Sequence, residues 1–169
     1  MYLNIKRMFE EPEFDKDIDP CRGIGTKAFD AVSRLTPIVN VDLLIINENH
    51  NVLVSWRKDD VCGEGWHIPG GVVRYKETFA ERLLKVAKEE IGIPITFDEQ
   101  PLEINEILLP QSVRGHFISF LFRCYPEKEI ITSAEKKQYD AGDLHWYKAA
   151  TDIPLVKGQR EYYTKYLKQ

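Results

Sequence analysis

The sequence predicts an α+β layered domain. Three observations lead there: short Val- and Ile-rich runs recur along the chain, a strong helical repeat sits in its middle, and a second helical pattern follows the last run. The length, 169 residues, suits one domain, and 43% hydrophobic residues suffice for a packed core.

Residues 1–25 stand apart from the rest. Glu10, Glu11, Glu13, Asp15, Asp17 and Asp19 lie among Pro12, Pro20 and Gly23 without periodicity. This predicts an arm, disordered or folded over a partner subunit, ahead of a domain spanning residues 26–169. Thr26–Leu35 reads as a short helix with Phe29, Val32 and Leu35 along one side. Pro37–Asn47 is a strand, Glu48–Asn51 a polar turn and Val52–Lys58 the return strand, so the pair is expected to form a hairpin. Asp59–Gly65 reads as a loop, and Trp66–Pro69 enters a turn at Gly70–Gly71 that continues as a short strand, Val72–Arg74. Thr78–Ile91 is the clearest helix: Phe79, Leu83, Val86 and Ile91 recur at its spacing. Thr78 is placed to cap it, and Gly92 and Pro94 to stop it. Strands follow at Ile95–Phe97, Glu103–Leu109, His116–Tyr125 and Asp143–Tyr147, and Lys157–Leu167 reads as a final helix carrying Tyr162, Tyr163 and Tyr166.

The net charge of −4 argues against a general nucleic-acid binder, which carries a basic excess. A small anionic ligand remains compatible, because a metal or a few cations can hold one in an acidic protein. Cys21, Cys62 and Cys124 are odd in number and form no CxxC pair, which argues against zinc and disulfide frameworks and suits a reducing cytosol. No apolar run nears the ~18 residues of a membrane helix. The expectation is a cytoplasmic protein without a membrane span.

The chemistry concentrates in Gly71–Ile93. Glu77, Glu89 and Glu90 surround a helix that follows a double-glycine turn. A carboxylate pair there suits Mg²⁺, which takes oxygen ligands and shares its sphere with substrate phosphates. Glycines ahead of the helix let backbone groups approach the ion and its phosphates closely. The bland alternative is a solvated face in which Glu81 and Lys85 form an i,i+4 pair.

The segment resembles the Nudix box, G-x5-E-x7-R-E-U-x-E-E-x-G-U, where U is a bulky aliphatic residue. Gly71, Glu77, Glu89, Glu90, Gly92 and Ile93 match, and Ala87 is a small stand-in for U. The preceding Trp66-His67-Ile68-Pro69-Gly70-Gly71 resembles the family's entry to the box. The resemblance implies a Nudix-like α/β/α sandwich with a mixed central sheet, and a Mg²⁺-dependent hydrolase. Two positions depart from the box: Lys85 stands for its Arg, and Val86 for the Glu beside it.

Within the family, the GDP-mannose mannosyl hydrolases also lack that Glu. The likeness to them extends over roughly Thr26–Ile95, through Phe29–Pro37, Val41-Asp42 and Ser55-Trp56-Arg57. It implies a metal held by the Gly70 carbonyl, Glu90 and Gln138, with substrate contacts at Phe29 and Arg57. It also implies catalytic roles for Asp42, Arg57, Lys85 and Glu89. Tyr139 stands where the subgroup has a catalytic His, and Val72 where it has an Arg. Plain readings remain open for several residues: a structural acid at Asp42, a strand-edge charge at Arg57, and a structural His67. Asp140, Asp143, His145 and His116 are the candidates for the base that activates water.

The implied reaction is hydrolysis of a GDP-mannose-like nucleotide sugar at the anomeric carbon, releasing sugar and nucleoside diphosphate. Val86 cannot ligate metal, so fewer ions are expected than in phosphoanhydride cleavage, where metals clamp attacking and leaving oxygens. The alternatives are cleavage of a nucleoside diphosphate derivative at phosphorus, and a Nudix-shaped binding module without turnover. The arm and the tyrosine-bearing final segment suit a homodimer.

Overall fold

A computed structural model describes residues 23–59, 63–148 and 154–163. The predicted arm, Gly23–Gly25 apart, lies outside the described residues, as do Cys21, Cys62 and Tyr166. Eight strands and three α-helices appear among the described residues: α1 Gly25–Val32, β1 Ile38–Ile45, β2 Asn51–Asp59, β3 Gly63–His67, β4 Gly70–Val72, α2 Phe79–Val86, β5 Ile95–Phe97, β6 Glu103–Leu108, β7 His116–Pro126, β8 Leu144–Lys148 and α3 Lys157–Tyr163. None of the helices is long and apolar enough to cross a membrane.

The main sheet is mixed. β1 lies between β4, to which it is antiparallel, and β7, to which it is parallel; β5 and β6 pair antiparallel with β7. A second sheet has the order β3-β2-β8. The expected β1–β2 hairpin is therefore corrected: a lone bridge, Ile46 to Val52, joins the two before they part. The reason lies in β1 itself. Every residue from Val41 to Ile45 is buried, so the strand belongs at a sheet centre, where other strands take both of its edges. Part of the predicted 59–65 loop is likewise strand, because Gly63–Gly65 pairs with Arg57–Asp59.

The alternation of β1 defines two cores. Val41, Leu43 and Ile45 meet Leu83, Val86, Ala87 and Ile91 on one face. Leu44, on the other face, packs with Leu121, Trp66, Ile68, Leu155 and Tyr163. The sheet thus separates α2 from α3, which gives the layered sandwich that the sequence led us to expect.

The start of α2 follows the sequence closely. Thr78 Oγ1 accepts from the Glu81 amide at 3.2 Å, and Glu81 Oε2 accepts from the Thr78 amide at 2.8 Å. This capping box is worth about 1 kcal/mol. The end differs from the predicted continuous helix. Ala87–Ile91 winds as a π turn, closed by the Gly92 amide on the Ala87 carbonyl at 2.8 Å. Gly92 then stops it at φ +82°, a left-handed conformation that favours glycine.

Candidate active site

The double glycine creates the site. A Cβ on Gly70 would stand 2.0 Å from Asp42 Oδ1 and 2.8 Å from the Val41 carbonyl. One on Gly71 would stand 2.9 Å from Val86 Cγ2. Only glycine lets β4 lie this close to β1 and α2, and the approach leaves an open cleft on either side of the turn.

The cleft has two compartments sharing Phe29, Gly70, Gly71, Val72 and Arg114. One, about 500 Å³, is lined by Glu89, Glu90, Arg74, Arg82 and the Gly23–Thr26 stretch. The other, about 360 Å³, has apolar walls from Ile68, Ile107, Leu109 and Phe117, with Asp42, Arg57, His67 and Ser119 among its polar groups.

At the acidic end two glutamates have opposite surroundings. Glu77 is saturated. Its Oε2 accepts from the Arg74 amide at 2.8 Å and from Arg82 Nε and Nη2, each at 2.7 Å, while Lys85 Nζ lies 2.7 Å from Oε1. Burial pushes its carboxyl up, but the bonds from Lys85, the Arg74 amide and Arg82 more than offset that and hold it below the usual range. Lys85 is thereby bound to Glu77, away from the catalytic part implied for it. Glu90 is the reverse case. Its Oε2 is buried without a hydrogen-bond partner, and His67 Nε2, at 3.4 Å, lacks the geometry to donate to it.

A buried carboxylate oxygen without a donor fits a cation. Glu89 lines the same compartment and is exposed. Among the described residues no three His, Cys, Asp or Glu side chains gather as a metal cage. Mg²⁺ is usually bound by one or two carboxylates plus substrate phosphates. Gly70 and Glu90 lie along one compartment, and Gln138 is exposed and lines neither.

Asp42 lies at the floor of the apolar end, 2% exposed. It accepts hydrogen bonds from Ser119 Oγ and Tyr163 Oη, and from Asn40 Nδ2 at 3.0 Å. Burial raises its pKa, while Ser119, Tyr163, His67 and Asn40 pull the other way. Three donors on one buried carboxylate favour the structural reading: Asp42 ties β1 to β7 and α3. Arg57 reaches this compartment with its Nε 3.1 Å from Asp59 Oδ2.

None of the four base candidates lines either compartment. Asp143 is held by Lys136, the Asp140 amide and Ser133, which lower its pKa to about 2. Asp140 pairs with Lys136 at 3.0 Å, and His116 Nε2 stands 3.3 Å from Glu106. His145 packs against Trp66 and Tyr147. Tyr139 packs on Trp56 and Trp66.

Sequence reasoning missed two arginines. Arg82 is 6% exposed on the flank of α2, and its signal was a charge sited between the apolar positions Phe79 and Val86. Arg114 lines both compartments from the β6–β7 loop, and no motif marked it. Gln159 is also new: it accepts from the Ile68 amide at 2.6 Å and donates to the Ile68 carbonyl at 3.2 Å, clamping α3 to the turn.

A turn, capped helix and acid pair in this arrangement match a known family. The NUDIX domain model covers residues 36–166. The chain belongs to the Nudix family. Solved Nudix structures share its fold. A NUDIX-family hydrolase from Clostridium perfringens superposes with a TM-score of 0.57 at 17% identity, covering 78% of this chain and 97% of that one. A UDP-X diphosphatase gives 0.55 at 17% identity, over 82% of this chain and 67% of that one. In sequence, this Nudix protein is 33% identical over 81 residues to the low-salt glycan biosynthesis protein Agl8 of Haloferax volcanii. That match takes in 48% of this chain and about half, 51%, of the relative.

Proposed function

We propose that this Nudix hydrolase cleaves a nucleotide sugar of the GDP-mannose type with one Mg²⁺, by attack at the sugar's anomeric carbon. The observation that carries the reading is Val86. It is 2% exposed and packed against Gly71, so the cleft has Glu89 and Glu90 but no carboxylate at the position of the missing box Glu. Glu90 and the Gly70 carbonyl would hold the ion, which stabilises the diphosphate as a leaving group. The nucleoside or sugar would occupy the apolar compartment beside Phe29 and Arg57. The name of the archaeal relative, a glycan biosynthesis protein, agrees with a sugar-linked substrate.

In the proposed step water oxygen bonds to C1 as the C1–O bond breaks, and the bonding pair leaves with the diphosphate. The water proton passes to Glu89, an exposed carboxylate with no partner among the described residues. A positioned base of this kind is worth roughly 10²–10⁴-fold. Arg57 would offset charge growing on the leaving group. A homodimer in the cytoplasm belongs to the same proposal, on the strength of the acidic arm and the tyrosine-bearing final segment of the sequence.

A second reading, cleavage at phosphorus, has one observation in its favour: Gln138, the subgroup's third metal ligand, is exposed and away from the cleft. Hydrolysis of GDP-mannose in ¹⁸O-labelled water decides between them. Carbon attack places the label on C1 of the free hexose and leaves GDP unlabelled. Label in phosphate, with GMP and sugar phosphate as products, sinks the carbon reading.

A further inference from the structure

Arg114 sits in the seven-residue loop between β6 and β7 with φ +53°, a left-handed conformation that non-glycine residues seldom adopt. Neighbours hold it there. Its amide donates to Ser33 Oγ at 3.1 Å, and its carbonyl accepts from Gln111 Nε2 at 3.3 Å. The loop closes on the Leu109 amide to Gly115 carbonyl bond at 2.7 Å. Backbone strain held this firmly at the mouth of a cleft points to a side chain being aimed.

The side chain is aimed as well as its backbone. The guanidinium carbon lies 4.8 Å from the Phe29 ring centre, and Nε is 3.0 Å from Asp30 Oδ1. Both partners come from α1, so one helix fixes the guanidinium plane from its face and its inner edge. An arginine offers five N–H donors in a rigid fork. Among the described residues Nη1 and Nη2 have no partner. Arg82 differs: it spends Nε and Nη2, one whole edge of its fork, on Glu77. Arg114 also lines both compartments, so it stands at their junction beside Gly70 and Gly71. A ligand with its metal-bound phosphates at one end and its organic part at the other must pass this point.

We propose that Arg114 grips the diphosphate of the bound nucleotide at the junction of the two compartments, with Phe29 and Asp30 as its positioning residues. Guanidinium and phosphate pair through two parallel hydrogen bonds, a geometry the free fork can supply. The inference rests on reading the cleft as a nucleoside diphosphate site, and it adds a contact that the box does not contain.

The test is calorimetric titration of GDP, inorganic pyrophosphate and guanosine into the protein with Mg²⁺. Arg114→Ala should weaken GDP and pyrophosphate by roughly 10- to 100-fold and leave guanosine unchanged. Arg114→Lys should restore part of the loss, because it returns the charge without the fork. Asp30→Asn keeps Arg114 and loosens its anchor, so GDP and pyrophosphate should weaken, but by clearly less than in Arg114→Ala. Wild-type affinity for GDP and pyrophosphate in Arg114→Ala overturns the proposal. So does an Asp30→Asn loss as large as that of Arg114→Ala, which would mean that the loop's structure, and not the guanidinium, supports binding. If GDP binding falls in Arg114→Ala but no nucleotide sugar is hydrolysed, Arg114 keeps its place and the proposed reaction is what fails.

Discussion

The two ends of the cleft are built in different ways. Most of the acidic end comes from one run of chain: Gly70 to Glu90 supplies the turn, the cap, the acids Glu89 and Glu90 and the Glu77–Arg82–Lys85 cluster, and Gly23–Thr26, Phe29 and Arg114 complete its wall. The apolar end is assembled from α1, the strands β1 to β4, β6 and β7, the β6–β7 loop and α3, residues as far apart as Phe29 and Gln159. A site made from one segment can be encoded locally and depends little on the rest of the fold. A site made from many segments changes whenever any of their packings changes. Under the proposed function the first end suits a constant task, holding a diphosphate, and the second suits discrimination between substrates.

The sharpest way to break this comparison is at the acidic end. Glu90→Gln keeps the shape and removes the charge, and kcat/KM with Mg²⁺ should fall at least roughly 100-fold, about 2.7 kcal/mol of barrier. Stability should hardly move, because Glu90 Oε2 has no hydrogen bond to lose. Wild-type turnover in this variant would remove Glu90 from the metal site.

Arg82→Met should do the opposite, lowering stability by about 3 kcal/mol in urea titrations because Glu77, with its side chain 5% exposed, loses two of its bonds. The pH dependence has a definite sign. The folded Glu77 carboxyl lies below the unfolded value of 4.5, so its contribution is full above that value and is lost as pH falls through the folded one. Thermal melts from pH 6 to pH 3 should show this acid-side loss in the wild type and a weaker one in the variant.

At the apolar end Tyr163→Phe removes one donor from Asp42 and should cost about 1–2 kcal/mol. Here the sign reverses. Burial raises Asp42 above the unfolded value of 3.8, so its contribution is full below that value and is lost as pH rises through the folded one. The Tyr163 bond opposes the rise, so the cost of the variant should grow from pH 3 to pH 7. A cost that is flat with pH would mean that Asp42 does not titrate against Tyr163.

The smallest effect is expected outside the cleft. Gln138→Ala should leave kcat/KM within about twofold of wild type, as an exposed substitution away from ligands should. A loss of tenfold or more would bring Gln138 back as a ligand and join the late loop to the acidic end.

The sequence made the two ends unequally legible. The cap at Thr78, the stop at Gly92 and the acids at Glu89 and Glu90 were readable because each depends on neighbours a turn away. Strand identities were readable from alternation, but their partners were not: nothing in Pro37–Asn47 says that β1 pairs with β7, some eighty residues on. The position of Lys85 in the box is visible in the sequence, and its bond to Glu77 is not. Arg114 left no trace, since its importance arises from α1 packing on a distant loop. Order along the chain suggests Gln138 as a ligand, but order does not fix where a loop of exposed residues runs.

The π turn at Ala87–Ile91 carries one more consequence. A π turn holds one residue more than the α-helical winding it interrupts. Each residue of an α-helix advances the side chain by about 100°. A single-codon deletion between Ala87 and Glu89 would restore ordinary winding and shorten the path to Gly92. Every side chain upstream would keep its place, including the buried Leu83 and Val86. The fold could therefore survive an in-frame loss that changes which acid faces the cleft. That makes this one turn a place where heredity can alter the acids of the cleft in a single step, without first dismantling the protein around it.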